Sequence, residues 1–266
     1  MTFIISESAL LAIIGGTGLT NLPNLEITNK EVVRTPYGDP SGYLTYGRIG
    51  DATVVFLARH GYGHTLSPHE VNYRANIWAL QSVGVTRVMA VNAVGGVAEN
   101  MGPGVLAVPD QVIDYTCARK HTYFEGDSPV THIDFTDPYC NRARLLYLAA
   151  AKAVGIDVLE SGTLGVTQGP RLETRAEVAR LARDGCAMVG MTTMPEASLA
   201  RELDLSYATL ALSMNHAAGL GSSSQGIKLA DADAVLKVGM EKVKTILARA
   251  VELHSAMPAS ERGFRS

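Results

Sequence analysis

The chain has 266 residues, of which 47% are hydrophobic and 18% charged, and its formal net charge is −3. This composition supplies a large apolar core and excludes a disordered chain. The slight negative charge and the lack of long Lys/Arg runs argue against a nucleic-acid partner. No apolar stretch reaches the roughly 18 residues that a membrane span requires. We therefore expect one globular domain over residues 1–266 that acts on a small molecule.

The cysteines and the first residues indicate the compartment. Cys117, Cys140 and Cys186 have neither the even number of a disulfide framework nor the close spacing of a zinc site. The start of the chain lacks the basic segment and the cleavage site of an export signal. We expect a cytoplasmic protein with reduced thiols.

Short, dense apolar runs alternate along the chain with longer segments of helical periodicity. This alternation is typical of an α/β fold, with a mixed, largely parallel central sheet flanked by helices. The runs predict strands buried on both faces. They are Leu10–Ile14, Thr53–Leu57, Val88–Val91, Val105–Val108, Thr163–Val166 and Tyr207–Leu212.

Capping residues predict where helices begin and end. A Ser/Thr followed three residues later by Glu is the sequence of a capping box. A glycine after a periodic segment favours a helix end. These signals predict one helix that begins at Ser67–Glu70 and runs to about Ser82, and two helices that begin at Thr174–Glu177 and at Thr193–Glu196. They also predict a helix that ends at Gly155 and a last helix that runs from Asp231 to about His254.

Most predicted strands end in glycine and a hydrogen-bonding residue. Because ligands bind at the carboxyl ends of parallel strands, these segments are expected to form one site. They are Gly15–Gly18, Arg59–Gly61, Asn92–Gly96, Gln168–Pro170, Gly190–Thr192 and Asn215–Ala217.

Several of these residues favour a small tetrahedral anion. Arg59 offers a bidentate fork, and His60 and Thr192 can donate beside it. The glycine loop lets backbone N–H groups approach an anion, and Thr17 adds a hydroxyl. There is no Gly-Lys-Ser/Thr loop and no acidic pair for Mg²⁺. Inorganic phosphate therefore fits better than ATP, and we expect no metal and no organic cofactor.

Six motifs in this order, GGTGL, RHG, VNYRAN, NAVGG, QGPRLET and GMTTMPE, resemble the trimeric purine nucleoside phosphorylases and methylthioadenosine phosphorylases. The resemblance extends from Gly15 to about the last helix. It implies the fold of that family, a homotrimer, and phosphorolysis, in which phosphate displaces a purine from C1′ of a ribose. The transition state resembles an oxocarbenium ion, so an anion below the sugar stabilises it, and no metal or protein nucleophile is needed.

The resemblance also implies roles for individual positions. Asn215, Glu173 and His60 would act in catalysis. Met191 would lie under the ribose and bond its hydroxyls through its backbone N–H. Phosphate would be held by Thr17, Arg59, His60, Asn92, Ala93 and Thr192.

The base end favours a 6-oxopurine. Asn215 can donate to O6 and accept from N7–H, and the Glu173 carboxylate can accept from N1–H. Adenine has no proton on N1, so Glu173 would face a lone pair. Adenine-specific members of the family resemble this chain but carry Asp at the positions of Asn215 and Ala217, and Ser at that of Glu173. The alternatives are that Glu173 caps the following helix and that Asn215 caps a loop.

The 5′ end favours a methylthio group. Ala232 stands where inosine-cleaving members have a His, and with Val235 it leaves an apolar hollow. His132 resembles the His that methylthio-specific members send across a subunit boundary. His216 either adjusts the base pocket or faces solvent, and residues 219–230 are a candidate lid. The alternative for Ala232 and Val235 is ordinary helix packing.

Together the two ends predict a substrate with a hypoxanthine base and a 5′-methylthio group, S-methyl-5′-thioinosine. A general 6-oxopurine nucleoside phosphorylase is the second possibility, and a methylthioadenosine phosphorylase the third. A dinucleotide-dependent oxidoreductase lacks its third glycine, and a serine hydrolase lacks a G-x-S-x-G elbow. A non-catalytic nucleoside-binding protein has no feature in its favour.

Overall fold

The computed structural model describes residues 10–19, 22, 25–126 and 128–262. The first nine residues, in which the sequence predicts no export signal, lie outside the described residues. The strands are β1 (Leu10–Gly15), β2 (Glu26–Glu31), β3 (Leu44–Ile49), β4 (Ala52–Ala58), β5 (Val85–Gly96), β6 (Leu106–Ala107), β7 (Gln111–Asp114), β8 (Thr163–Val166), β9 (Cys186–Gly190) and β10 (Ser206–His216). The helices are α1 (Tyr73–Ser82), α2 (Asn141–Ala153), α3 (Arg175–Arg183), α4 (Thr193–Glu202) and α5 (Leu229–Ala256).

The strands form one mixed sheet in the order β2-β3-β4-β1-β5-β9-β8-β7, and β10 pairs with β5 and β6. The central strands β4, β1, β5 and β10 are parallel to one another, as are β7, β8 and β9. The pairs β2–β3, β3–β4, β5–β9 and β6–β10 are antiparallel. The predicted α/β fold with a largely parallel sheet is confirmed.

The core forms two layers, one on each face of the sheet. Alternate side chains of a strand point to opposite faces. Leu11 and Ile13 therefore pack with α2 and α5, whereas Ala12 and Ile14 pack with α1 and α4. Burial on both faces explains why the central strands are continuous apolar runs rather than alternating ones.

The helix starts agree with the sequence in one case and differ in others. Thr174 and Glu177 form the predicted capping box at the start of α3. At Ser67–Glu70 the side chain of Glu70 accepts from the Ser67 amide at 3.1 Å, but the segment is a turn. The helix there begins only after Asn72, whose side chain accepts from the Ala75 amide, and it ends at Ser82 as predicted.

The last helix is longer than predicted at both ends. It begins at Leu229, so Asp231 lies in its first turn instead of capping it, and it ends at Ala256. Gly155 does follow the end of α2, with a φ of +67° that favours glycine. None of the described helices combines the length and the apolarity that crossing a bilayer requires.

Candidate active site

A cavity of about 360 Å³ opens at the carboxyl ends of the parallel strands. It is where the sequence places the site, since the segments after β1, β4, β8 and β9 and the ends of β5 and β10 all reach it. The segment Asn92–Gly96, expected to follow a strand, is the last part of β5 itself. Ten predicted residues line the cavity: Thr17, Arg59, His60, Asn92, Ala93, Glu173, Met191, Thr192, Asn215 and Ala217.

Four predicted residues lie elsewhere in the single chain. His132 is exposed on the segment between β7 and α2. Ala232 is buried in the first turns of α5, and Val235 is half-buried on the same helix. His216 ends β10 but does not line the cavity. The apolar residue that lines the cavity near these elements is Ile227, just before α5.

Arg59 is held rigidly by a buried carboxylate. Its Nε and Nη2 donate to the two carboxylate oxygens of Glu196, both at 2.7 Å, and its Nη1 donates to the Val91 carbonyl at 2.9 Å. Burial alone lowers the pKa of Arg59, but the Glu196 charge outweighs burial and leaves the pKa above its usual value. Arg59 is therefore charged, and two of its five N–H groups remain for an anion.

Sequence reasoning missed the role of Glu196. The predicted capping box at Thr193–Glu196 is wrong, because Thr192 is the N-cap residue and makes no side-chain capping bond. Glu196 instead points into the core, where the Tyr207 hydroxyl also donates to it at 2.8 Å. Its spacing from the buried Leu199 and Ala200 places it on the apolar face of α4, and that periodicity is the signal that could have revealed it.

Asn92 lines the cavity and supports two threonines. Its Nδ2 donates to Thr192 Oγ1 at 3.0 Å and to Thr193 Oγ1 at 2.9 Å. Thr209 in turn donates to Asn92 Oδ1 at 2.6 Å. Because both amide hydrogens of Asn92 are used, it has none left for phosphate. The hydroxyl of Thr192 accepts from Asn92, so its own hydrogen is free to donate to an anion.

His60 is uncharged at neutral pH. Its Nδ1 lies 2.8 Å from the Leu66 carbonyl, and because a carbonyl only accepts, Nδ1 carries the hydrogen. Burial and the neighbouring Arg59 charge lower the pKa of His60 to about 4. Its Nε2 therefore presents a lone pair at neutral pH. The prediction that His60 donates to the anion is therefore wrong for this tautomer, in which the imidazole can instead accept a hydrogen bond from a protonated phosphate oxygen.

The base end combines a carboxylate and an amide. Glu173 is half-buried and accepts from the Thr167 hydroxyl at 2.6 Å. The residue that caps α3 is Thr174, so the alternative that Glu173 caps this helix is wrong. Asn215 Nδ2 donates to the His216 carbonyl at 2.7 Å, which leaves one amide hydrogen and its own oxygen unused. The cavity thus offers a donor and acceptors for a purine edge.

Arg119 is a second residue that the sequence analysis missed. It is buried, and its Nη1 donates to the carbonyls of Met191 at 2.8 Å and Met194 at 2.6 Å. Its Nη2 donates to the Gln168 carbonyl at 2.8 Å. Arg119 therefore ties the segment after β8 to the segment after β9. All these partners are distant in the chain, so no local pattern could reveal them.

His216 anchors the segment that follows β10. Its Nδ1 accepts from the Ser222 amide at 3.3 Å and lies 3.0 Å from the Ser222 hydroxyl. Its ring also lies so close to Gly221 that a Cβ atom there would be 2.7 Å from it. The contacts fold the segment back toward β10, next to Ile227 in the cavity wall.

Comparisons with known proteins identify the family of the chain. The model of the Phosphorylase superfamily matches residues 10–252. A probable S-methyl-5′-thioinosine phosphorylase of Pseudomonas syringae pv. tomato is 53% identical over 239 residues, covering 90% of this chain and 96% of its own. A 6-oxopurine nucleoside phosphorylase of Pyrococcus furiosus is 44% identical over 247 residues, covering 90% and 91%.

A solved structure has the same fold. The methylthioadenosine phosphorylase of Schistosoma mansoni, in complex with adenine, superposes with a TM-score of 0.91 at 32% identity, covering 96% of this chain and 95% of its own. The family match spans most of the chain, and the relatives and the solved structure cover most of the chain as well. The chain therefore belongs to the phosphorylase superfamily, and the members of that superfamily to which it is similar are nucleoside phosphorylases.

Proposed function

We propose that the protein cleaves S-methyl-5′-thioinosine with inorganic phosphate to give hypoxanthine and 5-methylthioribose 1-phosphate. The observation that carries the proposal is the pairing of Glu173 and Asn215 in the same cavity as Arg59 and Thr192. One end of that cavity suits a 6-oxopurine and the other a small anion. The names of the relatives in Pseudomonas, Xanthomonas and Xylella agree with this substrate.

The chemistry needs positioning and hydrogen bonds only. Arg59 and Thr192 hold phosphate below the sugar, where a phosphate oxygen attacks C1′ as the bond from C1′ to N9 breaks. The electron pair of that bond moves onto the purine. Asn215 donates to O6, and this bond strengthens as the base gains negative charge. N7 takes up a proton from solvent, and Asn215 accepts from the resulting N7–H. Glu173 accepts from N1–H and so selects a 6-oxopurine. Phosphate is the only co-substrate in this scheme.

A general 6-oxopurine nucleoside phosphorylase is the second candidate, because the Pyrococcus relative bears that name. The two candidates differ at the 5′ end of the nucleoside. Ile227, the apolar residue that lines the cavity just before α5, favours a methylthio group because it cannot bond a 5′-hydroxyl. Ala232 and Val235 do not line this cavity in the single chain. A methylthioadenosine phosphorylase is disfavoured by the unpaired carboxylate that Glu173 would place opposite adenine.

Initial rates with S-methyl-5′-thioinosine, inosine and methylthioadenosine, each with and without phosphate, test the proposal. We expect methylthioinosine to be cleaved fastest and only with phosphate. Equal or faster cleavage of inosine would contradict the 5′ assignment and favour the second candidate. Faster cleavage of methylthioadenosine would contradict the assignment of Glu173.

We further propose that the protein works as a homotrimer in the cytoplasm. The exposed His132 and the nearby Val130, 84% exposed, suit a segment that another copy covers. The cysteines Cys117, Cys140 and Cys186 are free, which is typical of a reducing compartment. Sedimentation of the purified protein and fractionation of the source cells test these two statements.

A further inference from the structure

Glu173 stands between two cavities. It lines the candidate active site and also a neighbouring cavity of about 500 Å³, which is bordered by Thr167 and Cys117 among others. The glutamate lies on the segment between β8 and α3, where its neighbours Arg171, Leu172 and Thr174 are exposed. A flexible side chain in this place can turn toward either cavity. Something must therefore hold the carboxylate if it is to face a purine.

Thr167 provides that hold. Its hydroxyl donates to Glu173 Oε1 at 2.6 Å, a length typical of a bond to a charged acceptor. Thr167 directly follows β8, and its own amide donates to the Gly190 carbonyl of β9 at 2.8 Å. The hydroxyl therefore rests on the sheet, whereas the glutamate it holds is on a loop. Thr167 lines the second cavity but not the active site, so it touches Glu173 and not the substrate.

The guanidinium of Arg171 is paired with another carboxylate. Arg171 lies two residues before Glu173, but its guanidinium binds both oxygens of Glu177, at 2.8 and 2.7 Å. Among the ion pairs between described residues, none includes Glu173. One carboxylate oxygen is therefore bound by a neutral hydroxyl, and the other can accept from a neutral N–H group of a ligand.

We propose that Thr167 is a positioning residue that sets the preference for 6-oxopurines over 6-aminopurines by fixing the Glu173 carboxylate. The inference rests on the proposed function and adds to it. Without the hydroxyl, the glutamate side chain is free to rotate into the second cavity, where water binds it. The bond to N1–H of hypoxanthine is then weakened, whereas a base without that proton loses nothing.

The test compares Thr167→Val, which keeps the shape but removes the hydroxyl, with Thr167→Ser, which keeps the hydroxyl. We expect Thr167→Val to raise KM for S-methyl-5′-thioinosine by roughly tenfold, the effect of losing one hydrogen bond to a charged group. The rate with methylthioadenosine should not fall, so the ratio of kcat/KM for the two substrates drops by the same factor. Thr167→Ser should restore KM and the ratio to within about twofold of the parent.

Thr163→Val is the matched control, since Thr163 begins the strand that Thr167 follows and does not line the cavity. It should leave both substrates unchanged. Glu173→Gln separates the two proposals. If Glu173→Gln lowers the preference for the 6-oxopurine but Thr167→Val does not, the proposed function stands and the role of Thr167 is wrong. If the parent enzyme does not cleave methylthioinosine, the proposed function itself is wrong.

Discussion

At the scale of single residues, the candidate phosphate site depends on side chains that hold its binding residues in place. Glu196 and Tyr207 fix Arg59, and Asn92 fixes Thr192. The sequence motifs identify the residues that line the cavity because glycine and polar residues after strands are a local signal. They do not identify Glu196 and Arg119, whose partners lie far away in the chain.

The pair formed by Arg59 and Glu196 leads to a prediction about stability. Both side chains are fully buried, so Glu196→Gln leaves a buried cation without its counter-charge. We expect the free energy of unfolding to fall by about 3–5 kcal/mol, measured by urea titration. Replacing both residues, Arg59→Met with Glu196→Gln, should cost less than the single change. A single variant as stable as the parent would contradict the assigned charge pairing.

His60 leads to a prediction about pH. Its pKa falls from an ordinary value of 6.5 to about 4 in the folded chain. Between these values the unfolded chain binds a proton that the folded chain does not, so His60 stabilises the fold above pH 6.5, and this contribution is lost as the pH falls toward 4. The free energy of unfolding, measured at pH 7 and at pH 4.5, should fall on acidification for both proteins. The fall should be on the order of 2 kcal/mol smaller for His60→Gln than for the parent.

His121→Gln is the control for this experiment, because His121 is exposed. It should lose as much stability as the parent on acidification. If His60→Gln and the parent respond equally, the imidazole is not neutral and buried as described.

At the scale of elements, burial explains part of what the sequence predicts, since β3 and β9 are mostly buried yet are missing from the prediction. The run Thr163–Val166 matches β8 exactly because a strand covered on both faces is a dense apolar run. The edge strand β2 is missing from the prediction because all six of its residues are exposed and no apolar run marks it. The start of α1 is misplaced because Ser67–Glu70 forms a turn, and the residue that caps the helix is Asn72, which the sequence analysis did not identify.

The segment after β10 leads to a prediction at this scale. His216→Ala removes the bonds to Ser222 and the packing on Gly221, which hold residues 217–226 next to the cavity. We expect faster amide hydrogen exchange in residues 217–226. We also expect a several-fold higher KM for the nucleoside, because this segment must become ordered before the nucleoside binds. Ser224→Ala, an exposed change in the same segment, should do neither. Unchanged exchange in His216→Ala would show that the histidine is not the anchor.

At the scale of the whole molecule, one predicted site residue, His132, lies apart from the cavity of its own chain. The base and phosphate ends lie in one cavity, but His132 is exposed and does not line it. The resemblance to trimeric relatives assigns His132 to the site of a neighbouring copy. Neither the sequence nor a single folded chain contains the contacts between copies, so this assignment stays a prediction.

Complementation between variants tests the assembly. His132→Ala should raise KM for S-methyl-5′-thioinosine several-fold, and Glu173→Gln should impair the base end of the same chain. When the two variants are unfolded and refolded together, mixed trimers should contain some sites with both residues intact and recover activity above the sum of the separate variants. A monomeric mass, or no gain on mixing, would contradict the shared site.

The charge pairing of Arg59 with Glu196 has a consequence for the phosphate that we propose binds in this cavity. With His60 uncharged, the wall around a bound phosphate carries hydrogen-bond donors but little net positive charge. Such a wall exerts little long-range attraction, so phosphate capture depends only weakly on ionic strength. The same wall leaves the negative charge of the phosphate largely uncancelled, and that charge remains available to the cationic sugar carbon during bond cleavage.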